Sequence, residues 1–348
     1  MRGVAIGLAV GVLAVGGCSG DDGSPSAATE AEPTAAVPST SSTAVPSDGA
    51  VTIVAINQLH GLFCPATTDA CNAPARLDLL WRAIEDAGCP EVVGLAEIGP
   101  RQTELVPQRL DRLCDARYAL LYDGDAQGEN LDQEMILTSL PVRDDAYVEL
   151  ANFPWSGHWA QLGAEFGTID VLMTHQASSA NNPPCDLETC PPICEVGVET
   201  GTCHSHEIVA FLEEHAAADS VRVVMGDLNK RIDDPRIEVY TDAGYVDVWE
   251  LAGLDECDPQ TGRNCTCCIS NPAQDWDGSG LDDPTLLRDG RIDFVLVDPS
   301  RSPCAMQADP TTGVFAGDAV NESDAVDGVY WPSDHAGVIT RLVCQSAA

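Results

Sequence analysis

The chain predicts an α/β sandwich in which two β-sheets pack face to face, and three observations carry that prediction. Short β-rich runs recur from residue 51 onward, a few amphipathic helical stretches fall between them, and acid, amide and imidazole side chains collect where the apolar runs stop. The runs are Val51–Ile56, Val92–Ala96, Tyr118–Tyr122, Met135–Thr138, Thr168–Met173, Val221–Met225, Phe294–Val297 and Val338–Val343. Helical periodicity appears in Ala75–Ala87, where Leu77, Leu80, Trp81 and Ile84 share a face, then in Pro107–Leu113, and in Ser205–His215 with Ile208, Phe211 and Leu212. No repeat of fixed period is present. Cys257–Asp289 is rich in Cys, Pro, Gly and Asp without periodicity and reads as a long disulfide-stapled loop.

Composition bounds the function. With 348 residues, 44% hydrophobic and 5% aromatic, the chain can bury one large core and is neither fibre nor coiled coil. Its 55 acids against 17 Lys+Arg give a formal charge of −38, which excludes a broad basic surface for wrapping nucleic acid or anionic lipid. A phosphate substrate must then be met by metal ions or by a small local set of cationic groups. Lys230 is the single lysine.

Met1-Arg2 precede an apolar run from Gly3 to Gly17, shorter than the roughly 20 residues of a spanning helix and laid out like a secretory signal. Val15-Gly16-Gly17-Cys18 resembles the lipobox of bacterial lipoproteins. That resemblance implies removal of residues 1–17, lipidation of Cys18 and an extracytoplasmic protein anchored to a membrane, at the cell surface or in the periplasm. After Cys18, residues 19–50 are Ser, Thr, Ala, Pro, Gly and acids apart from Val37 and Val45, too polar to fold, so residues 18–50 are expected to form a tether of about 30 Å at 5–6 Å × √n. The domain is expected over 51–348. Without Cys18, fourteen cysteines remain, an even number suited to disulfides in an oxidising compartment. Zinc is the alternative for Cys185, Cys190, Cys194, Cys203 with His204 and His206, and for Cys257, Cys265, Cys267 and Cys268, although neither cluster has the spacing of a zinc ribbon. These two clusters mark insertions at about 185–203 and 257–289.

The strand ends are the chemical signal. Asn57 follows the first run, Glu97 the second, His175 the fifth, Asp227 and Asn229 the sixth, and Asp334-His335 precede the last. Asp293 sits inside Arg291-Ile292-Asp293-Phe294-Val295, where a carboxylate is costly unless paired. One strand-end acid means little; six strand ends bearing metal-binding or acid/base groups point to a site.

In this order and spacing these segments resemble the endonuclease/exonuclease/phosphatase superfamily with its DNase I-like fold, over nearly all of residues 51–344. The matching segments are Ile53-Val54-Ala55-Ile56-Asn57, Val92-Val93-Gly94-Leu95-Ala96-Glu97, Glu134 through Val142, Met173-Thr174-His175, Val224-Met225-Gly226-Asp227-Leu228-Asn229, Tyr245-Val246-Asp247-Val248-Trp249, Arg291-Ile292-Asp293 and Ser333-Asp334-His335. The resemblance implies a four-layer αββα sandwich with two mixed sheets. It implies Mg²⁺, with Mn²⁺ as a substitute, held by Glu97 and Asn57 with Asp334 as a further contact. His335 is the implied general base, oriented by Asp293; Asp227 and Asn229 line the phosphate and leaving-group side; His175 donates to a phosphate oxygen; and Glu134 partners that second histidine.

Departures limit the transfer. Gln58-Leu59 follow Asn57 without the acid that some repair nucleases of the family carry two positions on. No arms that grip a DNA backbone are identifiable beyond Arg101, Arg231 and Arg263 in loops. Asp275, Asp277, Asp282 and Asp283 space oxygen donors as a structural Ca²⁺ loop does, but Leu286 stands where an EF-hand needs Glu. His204 and His206 are expected to face solvent or cap a helix, and Arg291 and Trp249 to pair a carboxylate and fill core. The leading function is a metal-dependent phosphoesterase acting on nucleic acid or another phosphodiester. The alternatives are a phospholipase C/sphingomyelinase-like or inositol-phosphate hydrolase of the same superfamily and, from another class, a non-catalytic surface binding module.

Overall fold

The computed structural model describes residues 49–61, 64, 69–123, 133–152, 155–178, 182–185, 190–269, 279–302, 305–309 and 311–345. The expected signal segment 1–17, Cys18, the expected tether up to residue 48, and Asp275 and Asp277 of the candidate calcium loop lie outside the described residues. Among those described, no helix is long and apolar enough to cross a membrane.

In chain order the elements are β1 (Gly49–Asn57), α1 (Asp69–Asp86), β2 (Val92–Ile98), α2 (Pro100–Arg109), β3 (Ala119–Leu121), β4 (Gln133–Thr138), β5 (Val142–Glu149), β6 (Ser156–Ala164), β7 (Gly167–His175), α3 (Thr200–His215), β8 (Val221–Asp227), α4 (Pro235–Asp242), β9 (Val246–Asp247), α5 (Val248–Ala252), β10 (Asp293–Asp298), β11 (Ala305–Ala308), β12 (Gly313–Phe315) and β13 (Gly337–Gln345). They form two sheets. The first runs β11-β13-β1-β2-β4-β3 with β12 on β13, the second β5-β6-β7-β8-β10-β9. Both are mixed: β1 pairs β2 in parallel and β7 pairs β8 in parallel, amid antiparallel neighbours.

Period-two alternation sorts each strand's side chains into layers. Val51, Ile53 and Ala55 face the other sheet's Ile169, Val171, Met173, Val221, Val223 and Met225 in the central core. Val54 and Ile56, one residue out of phase, meet Leu77, Leu80, Trp81, Ile84, Leu105 and Val106 of α1 and α2. On the far side Leu172, Val224, Phe294 and Leu296 pack on Ile208 and Leu212 of α3 and Ile237 and Tyr240 of α4. Helices cover both outer faces, so the central strands are apolar on both sides. The result is the predicted αββα order.

All eight predicted strands are present, seven of them two or three residues longer and β3 two residues shorter. The helix expected at Pro107–Leu113 is instead Pro100–Arg109, because Pro100 starts it where no N–H is needed. α3 begins at Thr200, five residues before the prediction, and this overturns the expectation for His204: the ring is buried, bonded through Nε2 to Ala151 O at 2.7 Å and packed against Trp155. Disulfides join Cys64–Cys71, Cys89–Cys114, Cys194–Cys203, Cys257–Cys265 and Cys267–Cys268. All four sulfurs of the second cluster are thereby paired, which removes the zinc alternative there.

Candidate active site

Strand register assembles half of the site on each sheet. In the second sheet His175 of β7 pairs with Asp227 of β8, and Asp227 pairs with Asp293 of β10, so three polar side chains stand side by side on neighbouring strands. In the first, Asn57 ends β1 opposite Ala96 of β2, Glu97 comes next, and β13 begins two residues after His335. The two sheets then meet through side chains. Asn57 Nδ2 donates to Asp227 Oδ2 at 3.0 Å, His335 Nδ1 lies 3.0 Å from Asp293 Oδ2, and His175 Nε2 lies 3.4 Å from Glu97 Oε1.

The backbone departs from regular geometry where the site needs it. β2 bulges between Leu95 and Ile98, and Glu97 within it adopts φ +54°, a left-handed conformation costly for Glu and typical of functional positions. Asn229, at φ +57°, donates its N–H to Asp227 Oδ1 at 2.7 Å. Gly226 has φ +134°, and a Cβ there would run into the Thr174 carbonyl, so only glycine lets β8 lie this close to β7 beside the reactive residues.

Around this frame, Asn229 Nδ2 reaches Gln176 O at 2.8 Å and His175 Nε2 at 2.9 Å. His335 Nε2 lies 3.9 Å from Asp227 Oδ2 and 3.4 Å from Cys268 Sγ. The charges are strongly coupled. Burial pushes Glu97 up, but His60, His175, His335 and the Asn57 amide outweigh it and hold the carboxyl at about 2. Burial, Asp293 and Glu97 push Asp227 up to about 6 against the pull of the two histidines. Burial opposes charge on His335, yet Asp293, Asp227 and Asp334 overcome it and raise the ring to about 10.

Two carboxylate–imidazole groups in the site have ligand atoms within 4.8 Å of one another, Glu97–His175–Asp227 and Asp227–Asp293–His335, sharing Asp227, and His335 also stands in such a group with the sulfurs of Cys267 and Cys268. Hard carboxylate oxygens, with the Asn57 amide beside them and more negative charge than the neighbouring rings balance, fit a divalent cation such as Mg²⁺. Asp334 and Glu134 lie outside both groups. Asp334 accepts from Ser333 Oγ at 3.2 Å and acts on His335 and two buried arginines, Arg76 and Arg288, through its charge. Glu134, in β4, takes the hydroxyl of Ser156.

Several contributors carry no sequence signal of their own. His60 stands in the loop after Asn57 with Nε2 3.8 Å from Glu97 Oε2; its place three residues past a strand-end Asn was the available hint. Arg76 of α1 is buried and donates to the carbonyls of Gln58 and Leu59, fixing that loop. Arg236 of α4 is equally buried, and its Nη1 donates to Ala177 O at 2.8 Å and Leu228 O at 2.5 Å, tying together the loops after β7 and β8. Arg291 lies between Trp249 and Phe294 and pairs Asp247 at 2.7 Å and also Glu256. Arg101 and Arg263 are in surface ion pairs with Asp69 and Asp255.

The sequence matches no family model and no curated protein. Solved structures do match. An endonuclease/exonuclease/phosphatase family protein from Bacteroides thetaiotaomicron superposes with a TM-score of 0.59 at 14% identity, over 86% of this chain and 99% of that one. Humanized TDP2 from D. rerio gives 0.56 at 15% identity over 84% and 98% of the two chains, and D. rerio TDP2 complexed with single-strand DNA product gives 0.57 at 17% over 84% and 98%. At such identities the likeness is one of fold, and the chain has the DNase I-like fold of the endonuclease/exonuclease/phosphatase proteins.

Proposed function

We propose that this protein is a metal-dependent phosphoesterase that cleaves phosphodiester bonds outside the cytoplasm, with nucleic acid as its substrate. The observation that carries the reading is the convergence of Asn57, Glu97, His175, Asp227, Asn229, Asp293 and His335, from opposite sheets, on one strand-end site. Phosphodiester hydrolysis needs a deprotonated water, charge stabilisation on the phosphoryl oxygens and help for the leaving oxygen. His335 supplies the first: Asp293 accepts from Nδ1–H, so once the ring gives up the Nε2 proton that its acidic neighbours hold there, the Nε2 lone pair is free to take the proton of water. His175 and the Asn229 amide, which bond each other at 2.9 Å in the structure, would turn to donate toward phosphoryl oxygens, and Asp227 orients both Asn57 and Asn229. Mg²⁺, or Mn²⁺ in its place, held by Glu97 and Asn57 with Asp334 nearby, would draw charge off the phosphate.

Nucleic acid is favoured because a protein of the same fold, D. rerio TDP2, was solved with a single-strand DNA product. The acidic chain argues for a short grip at the site rather than a wrapped duplex. Location outside the cytoplasm rests on the signal and lipobox pattern at Cys18 and on the disulfides.

The test is hydrolysis by the full-length oxidised protein with Mg²⁺ and then EDTA, beside a His335→Ala control. Substrates are plasmid DNA, RNA, sphingomyelin, inositol phosphates and bis(p-nitrophenyl) phosphate. Cleavage of DNA or RNA that EDTA and the substitution abolish is the expected result. Preference for sphingomyelin or inositol phosphates replaces the substrate, and no turnover with either Mg²⁺ or Mn²⁺ makes the domain a binding module.

A further inference from the structure

The Cys265-Thr266-Cys267-Cys268 stretch has no part in the chemistry above, yet the structure lays Thr266–Ile269 as a strap across the general base and its carboxylate. On one side Thr266 Oγ1 accepts from the N–H groups of Ile292 and Asp293, both at 3.2 Å, and Cys267 exchanges backbone bonds of 2.9 Å with Gly290. On the other, Ala336 donates to Thr266 O at 2.7 Å and Ile269 donates to Asp334 O at 3.0 Å. Both chain neighbours of His335, and the backbone of Asp293, are therefore bonded to one four-residue segment. Its side chain at 268 meets the ring itself: Cys268 Sγ lies 3.4 Å from His335 Nε2, the nitrogen that Asp293 does not hold.

Cys268 is bonded to Cys267, its neighbour in sequence. A bridge between adjacent residues closes no loop and adds almost nothing to the chain-entropy stabilisation that explains most structural disulfides. Folding therefore gives little reason for it, and its position beside the base does. A disulfide sulfur carries no proton and cannot donate to the Nε2 lone pair. A thiol can.

We propose that Cys267–Cys268 is a redox modification site built onto the catalytic base: bonded, it keeps sulfur proton-free beside His335, and reduced, it places a Cys268 thiol that occupies Nε2 and stops hydrolysis. The inference rests on the reading of His335 as the general base. Reduction is by a dithiol. Its two sulfurs lose two protons and two electrons and close into their own disulfide, the Cys267–Cys268 bond breaks, and each cysteine sulfur ends as S–H. The S–H of Cys268 then competes with water for the lone pair, so the effect falls on the chemical step and not on substrate binding.

The experiment compares wild type, Cys267→Ala and the Cys267→Ala/Cys268→Ala double variant, each full-length and otherwise oxidised, with saturating Mg²⁺ and bis(p-nitrophenyl) phosphate. Cys267→Ala leaves a permanent thiol beside His335 and is expected to lower kcat at least tenfold with KM unchanged. The double variant removes that thiol and is expected to regain most of the loss. A brief pulse of dithiothreitol brings wild type down to the Cys267→Ala level, diamide restores it, and the double variant does not respond to the same pulse. That last arm separates this bridge from the other disulfides, which the pulse reaches in every protein. Equal kcat in the single and double variants, or equal loss of wild type and double variant under dithiothreitol, overturns the proposal while leaving the phosphoesterase reading intact. Failure of untreated wild type to hydrolyse any phosphodiester overturns that reading, and the proposal with it.

Discussion

Replacing Asp293 by Asn tests whether a buried carboxylate sets the tautomer of the proposed general base. Asp293 is fully buried at the start of β10, with Oδ2 3.0 Å from His335 Nδ1, and its Oδ1 has no hydrogen-bond partner among the described residues. A carboxylate only accepts, so Nδ1 must carry the proton and Nε2 is left basic. The amide of Asn is nearly the same shape but can donate. With its nitrogen turned to the ring, Nδ1 accepts, Nε2 carries the proton and the lone pair needed by water is gone. Loss of the correct tautomer in His-carboxylate pairs costs about 10³–10⁴ in kcat, or about 4–5.5 kcal/mol at 1.36 kcal/mol per decade. The carboxylate is also the leading attractive influence that raises the ring to about 10 against burial. Its removal lowers the basicity of His335, and the acid limb of the pH–rate profile moves to lower pH. The assay is kcat, KM and a pH profile on bis(p-nitrophenyl) phosphate with Mg²⁺, alongside a thermal melt. A melt close to wild type with kcat reduced by less than tenfold would refute both the tautomer argument and the assignment of His335 as base.

Gly226→Ala forces a Cβ against the Thr174 carbonyl at φ +134°, so it should cost about 2 kcal/mol or more and lower Tm and turnover together; a change in neither would show that β7 and β8 can part there freely. Arg236→Met removes two carbonyl bonds beneath the loops of His175 and Asp227, worth about 1 kcal/mol each; urea melts should show that loss, kcat/KM should fall more than tenfold, and Arg236→Lys should recover part of both. His204 is held neutral down to about 4, first by burial, while in the unfolded chain it titrates near 6.5. The unfolded state therefore gains its proton first as pH falls, so stability drops between pH about 6.5 and about 4 by up to about 3 kcal/mol; His204→Gln should flatten that slope in urea midpoints, and an unchanged slope would mean the ring is not the acid-sensitive group. Because the proposed grip on nucleic acid is confined to the site, KM for single-stranded DNA should rise only about three- to sevenfold between 50 and 200 mM salt, as for one or two phosphate contacts; a hundredfold rise would reveal a long basic track.

The fold was legible because its central strands are buried on both faces: Val51–Ile56 and Val221–Met225 are apolar apart from Thr52 and Arg222, and their ends carry the polar residues. β5 was not legible, since an edge strand of Val142-Arg143-Asp144-Asp145 faces solvent and reads as a loop. β6, with Ser156, Gly157 and Gly163, is too poor in β-branched residues to announce itself. The site residues were visible at strand ends, but their partners across the sheets were not. Nothing in the sequence says that Asn57 donates to Asp227, 170 residues away, or that His60 turns toward Glu97. Arg76 and Arg236 sit on amphipathic helices, where an arginine normally marks the wet face; only tertiary packing turns them inward.

Those inward arginines bear on how so acidic a chain can handle an anion. Arg76, Arg222, Arg236, Arg288 and Arg291 are all buried, a large share of only 17 cations. Arg76 fixes the loop after Asn57, Arg236 the loops after His175 and Asp227, and Arg291 the segment that leads into Asp293. Cations placed there hold the geometry of acidic and amide side chains and add little to the field outside, so a phosphate is not drawn in from a distance. In the proposed reaction it would be met only at contact, by His175, Asn229 and a divalent ion that Glu97 helps to hold, within a frame whose positions the buried guanidinium groups set. The same arrangement lets a chain with a formal charge of −38 keep the proposed site working: affinity would come from short-range donors and a bound metal ion, which salt and surface acids screen weakly.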